Sequence, residues 1–212
     1  MISIQNVSKK LDKVSILENL NVELDRGKIY GFVGRNGSGK SVFFKMICGF
    51  MIPDTGEILI DGESIDKPGV VAHKVRALIE KPQFIGNMSG RENLLLLASL
   101  QKKIGQKEVD ELLHHFDLET NKHYSKYSLG MKQKLGIIQT IMEDPSIIIL
   151  DEPFNGLDES SSEKVKKILL DKRAQGKTIL LATHIKEDIA CLCDEVYKVD
   201  GGHIAKMNVT EL

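Results

Sequence analysis

The sequence predicts an α/β fold: a parallel-sheet core, an antiparallel β subdomain at one edge and an inserted α-helical subdomain. Three regions of the 212-residue chain indicate this. The first third is rich in strand patterns, the middle third is helical, and the last third alternates strand and helix. We expect a single domain over residues 1–212, with the core and β subdomain in about 1–83 and 145–212 and the helical subdomain in about 84–144.

The N-terminal third combines alternating strand patterns with one apolar strand and one helix. The alternating apolar residues are Ile2, Ile4 and Val7 in the first pattern and Leu20, Val22 and Leu24 in the second. The apolar run KIYGFVG leads into a glycine-rich loop, and KSVFFKMICGF then predicts a helix that ends at Gly49. The segment GEILIDGES predicts a hairpin with Asp61 and Gly62 at its turn.

The middle third predicts three helices. The segment SGRENLLLLASLQKK opens with a capping box formed by Ser89 and Glu92. The segment QKEVDELLHHF is amphipathic, and YSLGMKQKLGIIQTIMED contains the third helix.

The last third predicts two strands, two helices and a closing hairpin. The runs in SIIILDEP and KTILLAT do not alternate, as expected of parallel strands buried on both faces. The helix between them is expected to be capped near Asp158 or Ser160 and to end at Gly176. The segment KEDIACLC predicts another helix, and VYKVDGGHIAKMN predicts a hairpin around Gly201 and Gly202.

Composition excludes several classes of protein. A formal net charge of -1 argues against a dedicated nucleic-acid binder, which is usually basic on one face, so we expect no nucleic-acid partner. The N-terminus does not read as a signal peptide, and no apolar run approaches the roughly 18 residues of a membrane span. The three cysteines, Cys48, Cys191 and Cys193, lack metal-site spacing, so we expect buried thiols in a reducing cytoplasm.

A phosphate-binding loop is the strongest motif. The segment GRNGSGKS, from Gly34 to Ser41, fits G-x-x-x-x-G-K-[ST] and stands between a predicted strand and a predicted helix, as the motif requires. Its glycines let backbone N–H groups surround phosphate oxygens. Lys40 is expected to reach the β- and γ-phosphates, and Ser41 to bind Mg²⁺. The predicted nucleotide-binding residues of this segment are Gly34, Asn36, Gly37, Ser38, Gly39, Lys40, Ser41 and Val42.

An acidic pair follows the apolar run that starts at Ile147. An aspartate at the carboxyl end of a buried strand emerges where α/β sheets bind ligands, so Asp151 is expected to hold Mg²⁺. Glu152 is expected to act as the general base that polarises the attacking water. Capping of a loop before Pro153 is the alternative, and the phosphate loop upstream favours the functional interpretation.

With these motifs in place, the chain resembles the ATP-binding cassette (ABC) ATPases. The segments GRNGSGKS, YSLGMKQ, IIILDEP, NGLD and THIKED occur in the family's order and spacing, over nearly the whole chain. The segments YSLGM and RALIEKP are similar to those of bacitracin- and lantibiotic-type exporter cassettes. The signature departs from the more usual Leu-Ser-Gly-Gly-Gln, because Leu129 and Met131 replace its first glycine and its glutamine. The resemblance implies a P-loop NTPase core of the RecA-like type.

The resemblance implies a catalytic unit made of two chains. ATP would lie between two cassettes in a head-to-tail dimer, and Ser128, Gly130 and the following helix N-terminus would face the γ-phosphate held by the other chain. Backbone dipoles and a hydroxyl contribute most where such an interface excludes water. His184 would contact the γ-phosphate as a catalytic residue, and Asp158 would link the two sites besides capping a helix.

The resemblance also implies partners and a location. ATP hydrolysis would drive a separate integral-membrane permease, which would hold this cytoplasmic chain at the inner face of the cell membrane. The cargo would be a peptide antibiotic or a similar compound. Residues 80–87 would border the groove that receives the permease, and Phe84, Ile85 and Met88 would either contact it or pack in the core.

Two positions depart from the family pattern. Leu11 stands where many relatives have an aromatic residue that stacks on adenine, so adenine would pack on aliphatic groups or on another residue. Glu80 stands where the family's glutamine coordinates Mg²⁺, and a carboxylate remains a suitable oxygen ligand. We expect Glu80 to do this, with Gln83 as the alternative.

Two other functions fit the sequence less well. A soluble ABC protein of translation or DNA repair usually has two cassettes or long coiled-coil insertions, and neither fits within 212 residues. A different P-loop enzyme, such as a small-molecule kinase, leaves YSLGMKQ and THIKED unexplained.

Overall fold

The computed structural model describes residues 1–208. The strands are β1 Ile2–Leu11, β2 Val14–Leu24, β3 Ile29–Val33, β4 Thr55–Ile60, β5 Glu63–Ser64, β6 Val75–Leu78, β7 Ile147–Asp151, β8 Thr178–Ala182, β9 Glu195–Asp200 and β10 His203–Met207. The α-helices are α1 Lys40–Ile47, α2 Val70–Lys74, α3 Gly90–Gln101, α4 Gln106–His115, α5 Leu129–Ile141, α6 Glu159–Ala174 and α7 Lys186–Leu192. One turn of 3-10 helix covers Tyr124–Lys126.

The strands form two sheets. The antiparallel sheet has the order β2-β1-β4-β5, and the larger sheet has the order β10-β9-β3-β8-β7-β6. Strands β9, β3, β8, β7 and β6 run parallel to their neighbours, and β10 pairs antiparallel with β9. The predicted α/β class with a parallel core and an antiparallel β portion is confirmed. Helices α3, α4 and α5 follow one another between β6 and β7.

The parallel sheet separates two hydrophobic cores. One core lies between the antiparallel sheet, α1 and one face of the parallel sheet, and the other lies between the opposite face and the helices. Successive residues of β7 show the alternation, since Ile149 joins the first core and Ile148 the second. All five residues of β7 and of β8 are buried, so the prediction that both strands are covered on two faces is confirmed.

Aromatic packing fixes α1 against the sheet. The ring of Phe32 in β3 lies 5.3 Å from the ring of Phe43 and 5.4 Å from that of Phe44, measured between centroids. All three side chains are fully buried, and burying one such side chain contributes about 1.5–3 kcal/mol. The helix that follows the glycine-rich loop is thereby held rigidly beneath it.

Local signals set the turns and helix ends as predicted. Asp61 and Gly62 both have positive φ between β4 and β5, as do Gly201 and Gly202 between β9 and β10. Ser89 and Glu92 form the predicted capping box of α3. The predicted helix ends at Gly49 and Gly176 are also confirmed, and Asp158, not Ser160, caps α6 by accepting from the Ser161 N–H at 2.8 Å.

The prediction of three buried thiols is confirmed only for Cys48 and is wrong for Cys191. Cys48 is buried, Cys193 is half-buried and Cys191 is exposed, because Cys191 lies on the solvent side of the short helix α7. Burial raises the pKa of Cys48 and of Cys193 to about 12. Alkylating reagents should therefore reach Cys191 first.

Within residues 1–208, no helix is both long enough and apolar enough to span a bilayer.

Candidate nucleotide-binding site

The glycine-rich loop and the acidic pair meet at one edge of the parallel sheet. The loop follows β3, and Asp151 is the last residue of β7. Both strands are neighbours of β8 and run parallel to it, so their carboxyl ends lie side by side. Ligands of α/β proteins bind at this edge. The fold thus brings together residues that are 110 positions apart in the chain.

Close packing explains why two of the loop's residues are glycines. A Cβ on Gly34 would lie 2.3 Å from the carbonyl oxygen of Val199, and one on Gly39 would lie 2.9 Å from Cδ2 of Leu17. Gly39 also has a φ of 107°, in a region that other residues rarely adopt. A side chain at Gly34 would collide with the backbone of β9, and one at Gly39 would press on Leu17 of β2 and require a strained backbone.

The loop presents donors to an anion. Gly39 precedes α1 and offers no side-chain cap, so the first N–H groups of the helix have no capping oxygen from that residue. The N-terminus of a helix favours negative charge for this reason. Lys40 is 9% exposed, and its Nζ donates to the carbonyls of Gly34 at 2.7 Å and Arg35 at 3.1 Å. Ser38 Oγ is buried without a partner among the described residues, which leaves it available to a ligand.

Ser41 and Asp151 form an oxygen pair suited to a hard cation. Ser41 Oγ donates to Asp151 Oδ2 at 2.6 Å, and Asp151 is 9% exposed. Within residues 1–208, no group of three or more His, Cys, Asp or Glu side chains could hold a metal by itself. A hydroxyl and one carboxylate match the way Mg²⁺ binds beside phosphates, where substrate oxygens and water complete its shell.

Glu152 and His184 are paired at the rim of the same edge. His184 Nδ1 lies 2.9 Å from Glu152 Oε2, with the His184 side chain 68% exposed and that of Glu152 25% exposed. Glu152 has a left-handed backbone, with a φ of 50°, and its N–H donates to the carbonyl of Ala182 at 2.8 Å. Gln133 of α5 donates to the carbonyls of Glu152 and Pro153 and so anchors this turn.

A cleft of about 740 Å³ joins most of these groups. Most of the predicted site residues line it, namely Asn36, Gly37, Ser38, Gly39, Lys40, Ser41, Val42, Glu80, Asp151 and Glu152. Gly34 and His184 instead line an adjoining cleft of about 440 Å³. Ser128 and Gly130 line neither of the two, although Leu129 between them lines the larger one.

Ser128 and Gly130 occupy the start of α5. Ser128 is exposed and caps the helix, with Oγ accepting from the Met131 N–H at 3.2 Å. Gly130 packs so closely on the turn after Glu152 that its Cβ would lie 2.7 Å from the carbonyl oxygen of Gly156. This helix N-terminus therefore presents a hydroxyl to the outside of its own chain.

The structure separates Glu80 from Gln83. Glu80 lines the main cleft, and its Oε1 lies 2.5 Å from Lys45 Nζ. Gln83 is exposed and lines two smaller grooves on the side of Phe84. Of the two candidates, only Glu80 is brought to the cleft.

Sequence reasoning missed five residues that shape the site. Ile16, Lys81 and Asn155 line the cleft, Gln133 anchors the turn at Glu152, and Lys45 pairs with Glu80. Of these, Lys45 had a usable signal, since it stands four residues after Ser41 and so lies on the same face of the helix. The other four positions follow only from tertiary packing.

A family profile and several known proteins match this chain over most of its length. A family profile described as "ABC transporter" matches residues 17–155. The ABC transporter ATP-binding protein YybJ of Bacillus subtilis, which is uncharacterised, is 36% identical over 96% of this chain and 94% of its own length. The bacitracin transport ATP-binding protein BcrA of Enterococcus faecalis is 34% identical over 100% of this chain and 70% of its own. The lantibiotic transport ATP-binding protein SrtF of Streptococcus pyogenes is 31% identical over 96% and 89%.

Solved structures agree on the fold. An ATP-binding subunit of an ABC transporter superposes with a TM-score of 0.90 at 29% identity, over 100% of this chain and 91% of its own. A dimeric ATP-binding cassette in a post-hydrolysis state with ADP and Pi superposes with a TM-score of 0.89 at 23% identity, over 99% of each chain.

Proposed function

The chain belongs to the ABC transporter family, as an ATP-binding subunit with ATPase architecture, and from this premise we propose that two copies share each round of ATP hydrolysis. One observation carries the proposal. The cleft contains the phosphate loop and the acidic pair and meets the first turns of α5 through Leu129 and Gln133, whereas Ser128 and Gly130 do not line it and Ser128 is exposed. Two anion-binding surfaces on one chain are explained if the second serves a nucleotide held by another chain.

The first half-site holds the nucleotide and its metal. The N–H groups at the start of α1 and Lys40 Nζ would bind the phosphates, with Lys40 exchanging its bonds to backbone carbonyls for phosphate oxygens. Ser41, Asp151 and Glu80 are the proposed protein ligands of Mg²⁺. When bound, Mg²⁺ neutralises charge on the phosphate oxygens and orients them.

Glu152 is the proposed general base. Its carboxylate would accept a proton from the attacking water while His184, 2.9 Å away, fixes its orientation and meets the γ-phosphate. A left-handed backbone at a non-glycine residue costs of order 1–3 kcal/mol, so the contacts with Ala182 and Gln133 are needed to hold it.

The second half-site comes from the partner copy. Ser128 Oγ accepts a hydrogen bond from the Met131 N–H through one lone pair. Its own hydroxyl hydrogen can therefore still be donated to a γ-phosphate. Closure of two chains around ATP excludes water and strengthens that bond and the dipole of α5. Asp158 is the N-cap of α6, at the end of the turn that follows Glu152. We propose that it connects the two sites.

The nucleotide base is proposed to pack on aliphatic groups. Leu11 and Ile16 of the β1–β2 hairpin line the cleft beside the phosphate loop. Aromatic stacking contributes about 1–3 kcal/mol per base, and because the ring would replace an existing aliphatic contact, a Leu11→Tyr variant should gain about the lower end of that range and bind ATP roughly fivefold more tightly. Titration with a fluorescent ATP analogue measures this.

Val14 supplies the matched control for that variant. It is paired with Leu11 across the hairpin turn but does not line the cleft. A Val14→Tyr variant should leave ATP affinity within about twofold of wild type. An equal gain from both variants, or a gain from neither, would place the base elsewhere.

The whole protein is proposed to drive export of a peptide antibiotic or a similar compound through a separate permease at the cell membrane. The names of relatives such as BcrA and SrtF support this cargo. The permease would contact a groove of about 310 Å³ that Phe84, Ile85 and Leu96 help to line. Buried Asn93 fixes the groove's wall, since its side chain bonds to both the N–H and the carbonyl of Ile85.

Membrane association tests this function. Ile85 is 46% exposed, so Ile85→Asp should cost little stability but place an unpaired charge in the permease contact. The fraction of the chain that sediments with membranes of the producing cells should fall severalfold. Leu170→Asp, at a side chain 37% exposed on α6, should leave that fraction unchanged. Retention of the Ile85→Asp variant at wild-type levels would remove the groove from the permease contact.

A further inference from the structure

Lys45 forms an ion pair with Glu80, one of the proposed Mg²⁺ ligands. Lys45 Nζ lies 2.5 Å from Glu80 Oε1, with the two side chains 32% and 63% exposed. Glu80 follows β6 with a left-handed backbone, at a φ of 62°. Lys45 stands one turn after Ser41 on α1, so both project from the same face of that helix. The pair therefore bridges the phosphate-binding helix and the segment that follows β6.

The pair matters because the cleft is lined by several negative charges and its expected ligand is also negatively charged. Three carboxylates line the cleft, those of Glu80, Asp151 and Glu152, and the ligand expected there is itself an anion. Asp151 is partnered by the Ser41 hydroxyl and Glu152 by His184. Glu80 is partnered by Lys45, which supplies a full positive charge.

We propose that Lys45 is a positioning residue that holds the Glu80 carboxylate along α1 and screens the nucleotide phosphates from its charge. The inference rests on the proposed nucleotide site and adds a residue to it. As a contribution to folding, a pair this exposed is worth little, because water screens both charges. Its effect on a polyanion entering the same cleft is different, because a carboxylate released from its lysine would repel the phosphates directly.

The pair predicts a specific pattern of nucleotide binding without metal. Loss of Lys45 leaves Glu80 unpaired beside the phosphates, so a Lys45→Met variant should bind ATP about fivefold more weakly in EDTA. With saturating Mg²⁺ the loss should shrink to less than about twofold, because the cation neutralises the same charges. A Glu80→Gln variant should bind metal-free ATP at least as tightly as wild type.

The double variant decides the proposal. Once Glu80→Gln has removed the charge that Lys45 screens, adding Lys45→Met should change metal-free affinity by less than about twofold. Titration of the full chain with an N-methylanthraniloyl ATP analogue, in EDTA and in Mg²⁺, gives all eight dissociation constants. A fivefold loss from Lys45→Met in both backgrounds would overturn the proposal, since Lys45 would then act on the phosphates itself.

Two controls separate the possible failures. The pair of Lys164 with Asp117 has the same 2.5 Å separation and side-chain exposures of 32% and 70%, but it lies away from the cleft, so Lys164→Met should leave nucleotide binding unchanged. Lys40→Ala should abolish binding. If the Lys40→Ala variant binds ATP normally, the proposed nucleotide site is wrong. If that variant fails to bind ATP, but Lys45→Met costs the same metal-free affinity with and without Glu80→Gln, only the role of Lys45 is wrong.

Discussion

A Glu152→Gln variant is expected to lose ATP hydrolysis by about a hundredfold or more while it still binds ATP, because general-base catalysis typically contributes 10²–10⁴-fold. The amide keeps the size of the side chain and can still bond to His184, whose Nδ1 lies 2.9 Å from the carboxylate, but it cannot accept a proton from water. ATP should then remain between two chains. Phosphate release measures the first effect, and size-exclusion chromatography with and without ATP measures the dimer.

The chain contains a matched control for that substitution. Glu119 pairs with His114 through the same 2.9 Å carboxylate–imidazole contact on an exposed surface away from the cleft. A Glu119→Gln variant should hydrolyse ATP at the wild-type rate. Wild-type turnover by Glu152→Gln would remove Glu152 from the role of base, and loss of turnover in both variants would point to a general effect of such pairs on folding.

A Ser128→Arg variant is expected to abolish turnover while the affinity of a single chain for ATP stays within about twofold of wild type. Ser128 is exposed and lies outside the cleft of its own chain, so its replacement leaves the phosphate loop intact. An arginine there removes the hydroxyl and fills the space in front of α5 that the partner's γ-phosphate would occupy. Steady-state hydrolysis and equilibrium nucleotide titration separate the two effects.

Loss of the helix cap must be separated from loss of function. Ser128 caps α5 through the Met131 N–H, and replacing a cap costs about 0.5–2 kcal/mol. A Ser128→Asp variant keeps the helix cap, so its unfolding temperature should equal that of wild type. Its carboxylate repels a γ-phosphate, so it should nevertheless fail to hydrolyse ATP. Equal losses of turnover and of single-chain ATP affinity in these variants would mean that Ser128 acts within its own chain.

Elements with strong local signals were predictable from the sequence. The unbroken apolar runs of β7 and β8, the turn at Asp61 and Gly62, and the cap at Ser89 each depend on nearby residues, and the structure confirms them. The phosphate loop was predictable for the same reason, because its glycines, lysine and serine must be adjacent in the chain to surround a phosphate.

Features that arise from tertiary contact were not predictable. Strand β6 has four residues and owes its place to pairing with β7 and to Arg76, which bonds to the nearly buried Glu143 67 positions away. Helix α2 has five residues, too few for a periodic pattern. The Lys45–Glu80 pair likewise spans 35 positions, so neither residue alone indicates it.

The sharing of catalysis between two chains is tested most directly by mixing two inactive variants. Lys40→Ala disables the phosphate loop and Ser128→Arg disables the start of α5, so a mixed dimer keeps one complete site if each site draws on both chains. An equimolar mixture should then recover about a quarter of the wild-type rate, because half of the dimers are mixed and each has one working site of two. A mixture no more active than the two separate variants would contradict the account and place the whole of catalysis within one chain.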